Sequence, residues 1–121
     1  MTLPLIESAS LRATTAESAG ILKVGFEGTG ESGEAQAMFD FCQLVHAEAQ
    51  ARKANVEVDF RQLEFLSSSC FKAFVTWFAQ VQELGDGEKY NIHLISNPRM
   101  HWQRRSLGAL ASFAPGHVTI T

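Results

Sequence analysis

Three consecutive serines, Ser67–Ser69, separate two apolar stretches of the chain. The first stretch is LEFL, and the second follows Cys70 with the spacing of a helix. Serine is unfavourable inside strands and helices, but its side-chain oxygen readily accepts the unpaired N–H groups of a first helical turn. The run therefore indicates either a redundant helix cap or a functional site at a strand-to-helix junction.

Cys70 is the other residue of this junction that could do chemistry. Its predicted place in the first turn of a helix would lower the pKa of the thiol and favour a reactive thiolate. The alternative is a small, partly buried apolar residue, which is the commoner role of a free cysteine. The sequence leaves both interpretations open.

A second segment, Gly28–Ala35 (GTGESGEA), has the glycine spacing of a phosphate-binding P-loop. Glu34 stands where that motif needs a lysine to neutralise phosphate, and Ala35 stands where it needs a hydroxyl for Mg²⁺. A glutamate repels phosphate. The segment is therefore predicted to be a flexible surface loop before a helix, with no nucleotide site.

Other catalytic and metal-binding motifs are missing from the sequence. It contains neither a C-x-x-C pair nor a G-x-S-x-G elbow. The histidines do not pair at i, i+4 spacing on one helix; they are His46, His93, His101 and His117. We therefore expect no metal ion and no other cofactor.

Length and composition indicate one globular domain. The chain has 121 residues, 45% of them hydrophobic, and a formal net charge of −3 with scattered lysines and arginines. This charge pattern argues against nucleic-acid binding, and no apolar run approaches the length of a membrane span. The basic run Arg99, His101, Arg104 and Arg105 is interpreted as the solvated face of a helix. Two cysteines and no secretory signal favour a cytoplasmic protein with reduced thiols.

Hydrophobic periodicity divides the chain into alternating strands and helices. Strands are predicted at SLRATTAES, GILKVGFEG, NVEVDF, NIHLIS and HVTIT, and helices from 35 to about 54, from 69 to 84, and from an Asn97 cap through Phe113. The order β-β-α-β-α-β-α-β predicts an α/β domain with a mixed, largely parallel sheet of four to five strands and three main helices. Functional residues of such sheets lie at the carboxyl ends of the strands, where the serine run falls.

The second predicted helix carries a wide apolar stripe of Phe71, Phe74, Val75, Phe78 and Val81, which we expect to be buried. Trp77 lies on the flank of this stripe. It belongs either to the core, which is the default for an aromatic at helical spacing, or to the border of a partner-binding surface.

The stretch DFRQLEFLSSSCFKAF, from Asp59 to Phe74, resembles the central signature of STAS domains, the module of bacterial anti-sigma factor antagonists and sulphate transporter tails. The family pattern is roughly D-L-S-G-V-x-F-I-D-S-S-G-L-G-x-L. Ser67 replaces its acidic residue, Ser68 and Ser69 fall on its serine pair, and Cys70 replaces its glycine. Leu63 and Phe65 fall on core positions. The tail motif is similar as well, at Pro98, Met100, Gly108 and Phe113.

This resemblance implies a STAS-like fold for the whole chain, 1–121, and a role in protein binding rather than catalysis. In switching members of the family a partner kinase phosphorylates the second serine of the pair, which corresponds to Ser69, and Ser68 is the second candidate. The partner surface is expected at Ser67, Ser68, Cys70 and Trp77. The implied partners are a serine kinase that is also the anti-sigma factor and a serine phosphatase, with no nucleic acid or membrane. In the unmodified protein, Ser69 is expected to cap the helix.

Two other functions fit the sequence. One is a STAS-like interaction or scaffold module that is never phosphorylated and works within a larger signalling assembly. The other is an enzyme or thiol sensor that uses Cys70.

Overall fold

The computed structural model describes residues 5–121, which form one six-stranded sheet and three α-helices. The strands are β1 (Ile6–Glu7), β2 (Leu11–Ser18), β3 (Ile21–Gly30), β4 (Val56–Leu66), β5 (Ile92–Ile95) and β6 (Val118–Ile120). The helices are α1 (Ala35–Arg52), α2 (Ser68–Glu83) and α3 (His101–Ala111), and a short 3-10 helix covers Ser32–Glu34. The predicted fold class is confirmed, with six strands instead of four or five because the two-residue β1 joins the edge of the sheet.

The strands lie in the sheet in the same order as in the sequence. β1 and β2 each pair antiparallel with the next strand, whereas β3 to β6 are parallel. Each parallel connection carries one helix and steps to the neighbouring strand in the same direction. Right-handed crossovers then place all three helices on one face of the sheet. Residues 5–121 contain no helix that is both long and apolar enough to cross a membrane.

The core lies between this face and the helices. Along β4, Val56, Val58 and Phe60 are buried, whereas the intervening Glu57 and Asp59 are half-buried on the open face. Aromatic rings fill the centre: Phe26 stacks on Phe60 with centroids 5.6 Å apart and meets Phe74 edge-on at 5.5 Å. The apolar stripe of α2 is therefore confirmed at Phe74, Phe78 and Val81, while Phe71 and Val75 are only half-buried.

Two predicted boundaries were wrong. α3 begins at His101 rather than behind an Asn97 cap, because the Asn97 side chain accepts from the Arg99 N–H (2.9 Å) in a separate turn. Gly28, Thr29 and Gly30 belong to strand β3 and not to a flexible loop. Gly28 has a φ of 97°, and a Cβ atom there would lie 2.1 Å from the Ser10 carbonyl oxygen, so the close approach of Ser10 to β3 requires glycine.

A buried hydrogen-bonded chain joins α1, α2 and the start of β5. The Trp77 indole N–H donates to the Tyr90 hydroxyl (2.6 Å), which lies 2.6 Å from the His46 Nδ1. Because the Tyr90 oxygen accepts from Trp77, the Tyr90 hydroxyl proton can be donated to the His46 Nδ1. A histidine that accepts a hydrogen bond at Nδ1 is neutral. Burial lowers the pKa of His46 and raises that of Tyr90.

The lowered pKa of His46 predicts an acid-sensitive fold. Below the ordinary value of 6.5 the unfolded chain binds a proton that the native chain excludes, so stability falls as the pH falls through this region. Urea unfolding at about pH 7.5 and about pH 5 should show a larger loss for wild type than for His46→Gln, which cannot titrate there. Equal losses would contradict this assignment, since the other histidines are present in both proteins.

Candidate functional site

The serine run lies at the carboxyl edge of the sheet, where β4 ends and α2 begins. In the last paired positions Thr29 lies opposite Phe65 and Gly30 opposite Leu66. The Ser67 N–H then donates to the Gly30 carbonyl (2.7 Å), which ties the start of α2 to the end of β3. The site is therefore placed by main-chain hydrogen bonds, as expected for a parallel sheet.

The path of β4 into this site depends on Gln103 of α3. The pairing of β4 with β3 is irregular between Asp59 and Gln62, which leaves main-chain groups without strand partners. Gln103 is completely buried, and its Nε2 donates to the carbonyls of Phe60 (2.6 Å) and Leu63 (3.0 Å). Its Oε1 accepts from the N–H of Asn97 (2.7 Å). One side chain thus holds the irregular end of β4 against α3.

Ser67 is the residue that caps α2. Its Oγ accepts from the N–H of Cys70 (3.2 Å), and its carbonyl accepts from the N–H of Phe71 (2.8 Å). The expectation that Ser69 caps the helix was wrong, because Ser69 already lies inside the first turn. Ser68 and Ser69 are both exposed.

This division of roles predicts different effects of three alanine substitutions on stability. Ser67→Ala should lower the free energy of unfolding by about 0.5–2 kcal/mol, because it removes the cap. Ser68→Ala and Ser69→Ala are matched controls and should each change it by less than about 0.5 kcal/mol, as exposed substitutions usually do. Urea denaturation of the three variants tests the assignment, and a loss for Ser69→Ala as large as for Ser67→Ala would contradict it.

Cys70 points inward and is not a surface thiol. It is completely buried, and its Sγ lies 3.3 Å from the Glu31 carbonyl, to which the thiol donates. Burial raises the pKa of Cys70, the hydrogen bond with Ser67 opposes this rise, and the Glu34 carboxylate adds to it. The expected lowering of this pKa was wrong because burial disfavours the charged thiolate. A thiol-sensor function loses its main support.

Helix geometry places the two exposed serines on different sides of α2. Ser69 lies about 20° around the helix from Gln80, whereas Ser68 points about 100° away from Ser69. Gln80 exchanges two side-chain hydrogen bonds with Gln43 of α1, at 3.0 and 3.1 Å. Ser69 therefore faces the α1 side of α2, and Ser68 points outward.

Two exposed phenylalanines belong to elements next to α2. Phe39 lies one turn before Gln43 on α1 and is 38% exposed. Phe65 lies two residues before the Ser67 cap and is 49% exposed. Its predicted core position was wrong, since a second shift in the pairing, between Leu63 and Phe65, reverses the alternation of inward and outward side chains. Large exposed aromatics of this kind often mark contact surfaces.

Three of the four residues expected at a partner surface are buried. Ser67 is 7% exposed, and Cys70 and Trp77 are fully buried. The burial of Trp77 and its hydrogen bond to Tyr90 agree with the core alternative. Of the four expected residues, Ser68 alone presents its side chain to solvent. Cys70, which replaces a family glycine, therefore adds no bulk to the surface.

The segment that imitates a P-loop is built differently from a phosphate cradle. The Thr29 N–H donates to the Ser10 carbonyl (2.8 Å), and the Glu34 N–H donates to the Glu31 carbonyl (2.8 Å). The Glu34 carboxylate accepts from the Ser10 hydroxyl (2.8 Å). These donors are already paired, and a carboxylate lies where phosphate would bind. Within residues 5–121, histidine, cysteine and acidic side chains also form no group suited to a metal ion.

Sequence reasoning missed Gln103 and Phe39. Gln103 lies four and seven residues before the buried Leu107 and Leu110, so the helical period itself places it on the buried face. Nothing in the sequence indicated that Phe39 is exposed, because an aromatic residue within an amphipathic helix is usually part of the core.

Comparison with known proteins identifies the fold. No family model matches the sequence, and no curated protein matches it. Among solved structures, the crystal structure of an anti-sigma factor antagonist from Mycobacterium paratuberculosis matches with a TM-score of 0.66. The match is 16% identical in sequence and covers 94% of this chain and 90% of that chain. The chain therefore shares the fold of that crystal structure, the STAS-like fold that its central motif implied.

Proposed function

We propose that this protein is a cytoplasmic regulator of the anti-sigma factor antagonist type, which binds a protein partner and is switched by phosphorylation of Ser69. The observation that carries the proposal is the division of roles at the start of α2. Ser67 caps the helix through its buried hydroxyl, which leaves the exposed Ser69 free of a structural role. Ser69 can therefore be modified without loss of the cap.

The position of Ser69 suits a phosphate. A phosphate in the first turn of a helix meets N–H groups that lack helical partners and the positive end of the helix dipole. Lys72 follows three residues later, on the adjacent part of the exposed face, and its ammonium group can approach the phosphate. The phosphate adds about −1.5 to −2 charge units to the surface.

The surroundings of Ser69 suit a protein partner. Phe39 in α1 and Phe65 at the end of β4 expose their rings on the two elements next to α2, and Lys72 is the only charged side chain of α2 before Glu83. Exposed aromatic rings beside a helix with few charges are typical of protein interfaces. A phosphate placed there has to be desolvated when the partner docks, so it weakens docking.

The partners implied by this function are a serine kinase that is also an anti-sigma factor and a serine phosphatase that reverses its action. The protein itself acts by binding and carries out no catalysis. It needs no cofactor, nucleic acid or membrane.

Phosphorylation by the cognate serine kinase tests the proposal. Wild type, Ser68→Ala and Ser69→Ala should be incubated with the kinase and ATP, and the intact masses measured. We expect one phosphate on wild type and on Ser68→Ala and none on Ser69→Ala. Phosphate on Ser69→Ala but not on Ser68→Ala would move the acceptor to Ser68. No phosphate on any protein would overturn the switch.

A second function, a docking module that is never phosphorylated, is favoured by one observation. Ser67 replaces the acidic residue of the related motif, so no carboxylate stands directly before the serine pair. Ser67→Asp restores this group at a position that also suits a cap. Faster phosphate transfer to Ser67→Asp than to wild type would support the switch, whereas partner binding without any transfer would support the module.

A further inference from the structure

The charges of this protein are strongly segregated along the chain. All 13 acidic residues precede Lys89, whereas four of the 10 basic residues lie from Lys89 onward. The formal charge is therefore −7 before Lys89 and +4 from there to the end. The second part contributes β5, α3 and β6, which form one side of the domain.

Three arginines of this part lie at the start of α3. Arg99 precedes the helix, and Arg104 and Arg105 lie in its first half. All three are exposed, as is His101. Among the residues that the structure describes, the ion pairs involve Arg52, Arg61 and Lys23, and none involves these three arginines.

Part of this positive charge lies on one exposed face of α3. His101, Arg105, Gly108 and Ala109 follow one another at i, i+4, i+7 and i+8, and all are exposed. The small residues after Arg105 leave its guanidinium group unshielded. Arg99, His101, Arg104 and Arg105 are called the α3 basic face below.

Helix stability does not explain this placement. The N-terminal end of a helix carries the positive end of its dipole, where acidic side chains stabilise and basic side chains do not. α3 has no acidic residue in its first turn and carries both of its arginines in its first half. Exposed arginines that form no ion pair and gain nothing from the helix dipole remain available for binding.

We propose that the α3 basic face is a docking surface for an acidic patch of a protein partner. Arginine forms paired hydrogen bonds with carboxylates and is enriched at protein interfaces. The remainder of the domain carries a charge of −7, which would repel an extended polyanion such as nucleic acid but leaves a compact acidic patch free to dock. The surface is separate from Ser69, so the proposal does not depend on phosphorylation.

The test uses a glutamate peptide of about five residues as the probe, which when extended is about as long as α3, titrated into the ¹⁵N-labelled full chain at about 50 mM salt. The test variant carries Arg99→Gln, Arg104→Gln and Arg105→Gln. A matched control carries Arg12→Gln, Lys23→Gln and Lys53→Gln, which removes the same charge elsewhere on the exposed surface. A DNA duplex of about twelve base pairs is titrated in parallel at the same salt concentration.

We expect the amide shifts of wild type to cluster at residues 99–109. The affinity for the peptide should fall by about tenfold in the α3 variant and by less than about twofold in the control. The melting temperature of the α3 variant should not fall, since the arginines do not stabilise the helix. Equal losses in both variants, shifts scattered over the surface, no binding of the peptide, or tighter binding of DNA would each overturn the proposal.

Discussion

Gln103→Leu is expected to lower the free energy of unfolding by about 3–5 kcal/mol, since each unpaired buried polar group costs about 1–3 kcal/mol. Leucine matches the size and apolar surroundings of the buried side chain but offers no hydrogen bonds. The carbonyls of Phe60 and Leu63 and the N–H of Asn97 would then lose the partner that they share. Urea denaturation followed by circular dichroism measures the change.

Gln82→Leu is the matched control, because Gln82 is an exposed glutamine within a helix. It should change stability by less than about 0.5 kcal/mol. Gln103→Glu keeps the acceptor for Asn97 but loses both donated bonds, and it should also be strongly destabilised. A Gln103→Leu protein as stable as wild type would show that the irregular end of β4 does not depend on this side chain.

Ser69→Asp is expected to weaken partner binding by about tenfold or more, which corresponds to about 1.4 kcal/mol. A carboxylate in the first turn is compatible with the helix dipole, so the fold should remain intact. The same carboxylate has to be desolvated beneath a docked partner, which opposes binding. Isothermal titration with the partner measures the affinity.

Ser68→Asp places the same charge one residue away, on the outward side of α2. We expect it to weaken binding by less than about threefold, since an exposed rim charge affects affinity little. Ser69→Ala should bind as wild type does. An unchanged affinity of Ser69→Asp, or a larger loss for Ser68→Asp, would place the docking surface elsewhere.

The fold was largely predictable because its helices and strands have clear hydrophobic periods. The spacing of Met38, Phe41, Cys42, Val45 and Ala49 predicted α1, and all five are buried. β1 was not predicted, because an edge strand of two residues is too short to show a hydrophobic period. Gly28 and Gly30 suggested a loop, since glycine is common in loops, but Gly28 instead permits the close approach of Ser10 to β3.

The place of the serine run in the fold was predictable, and its detailed geometry was not. The serine run correctly marked the start of α2, but the cap depended on a boundary that sequence leaves uncertain by a residue or two. The pKa of Cys70 was predicted in the wrong direction, because burial depends on contacts with the segment after β3 that lie far away in sequence. Phe65 became exposed through the irregular pairing of β4, which no local pattern reveals.

The most direct test compares the affinity of the wild-type protein for its partner before and after complete phosphorylation of Ser69. Both samples come from one preparation, and the kinase is removed before isothermal titration. A phosphate on the docking surface should weaken binding by about tenfold or more. Equal affinities of the two forms would contradict a phosphorylation switch and leave the protein as a constitutive docking module.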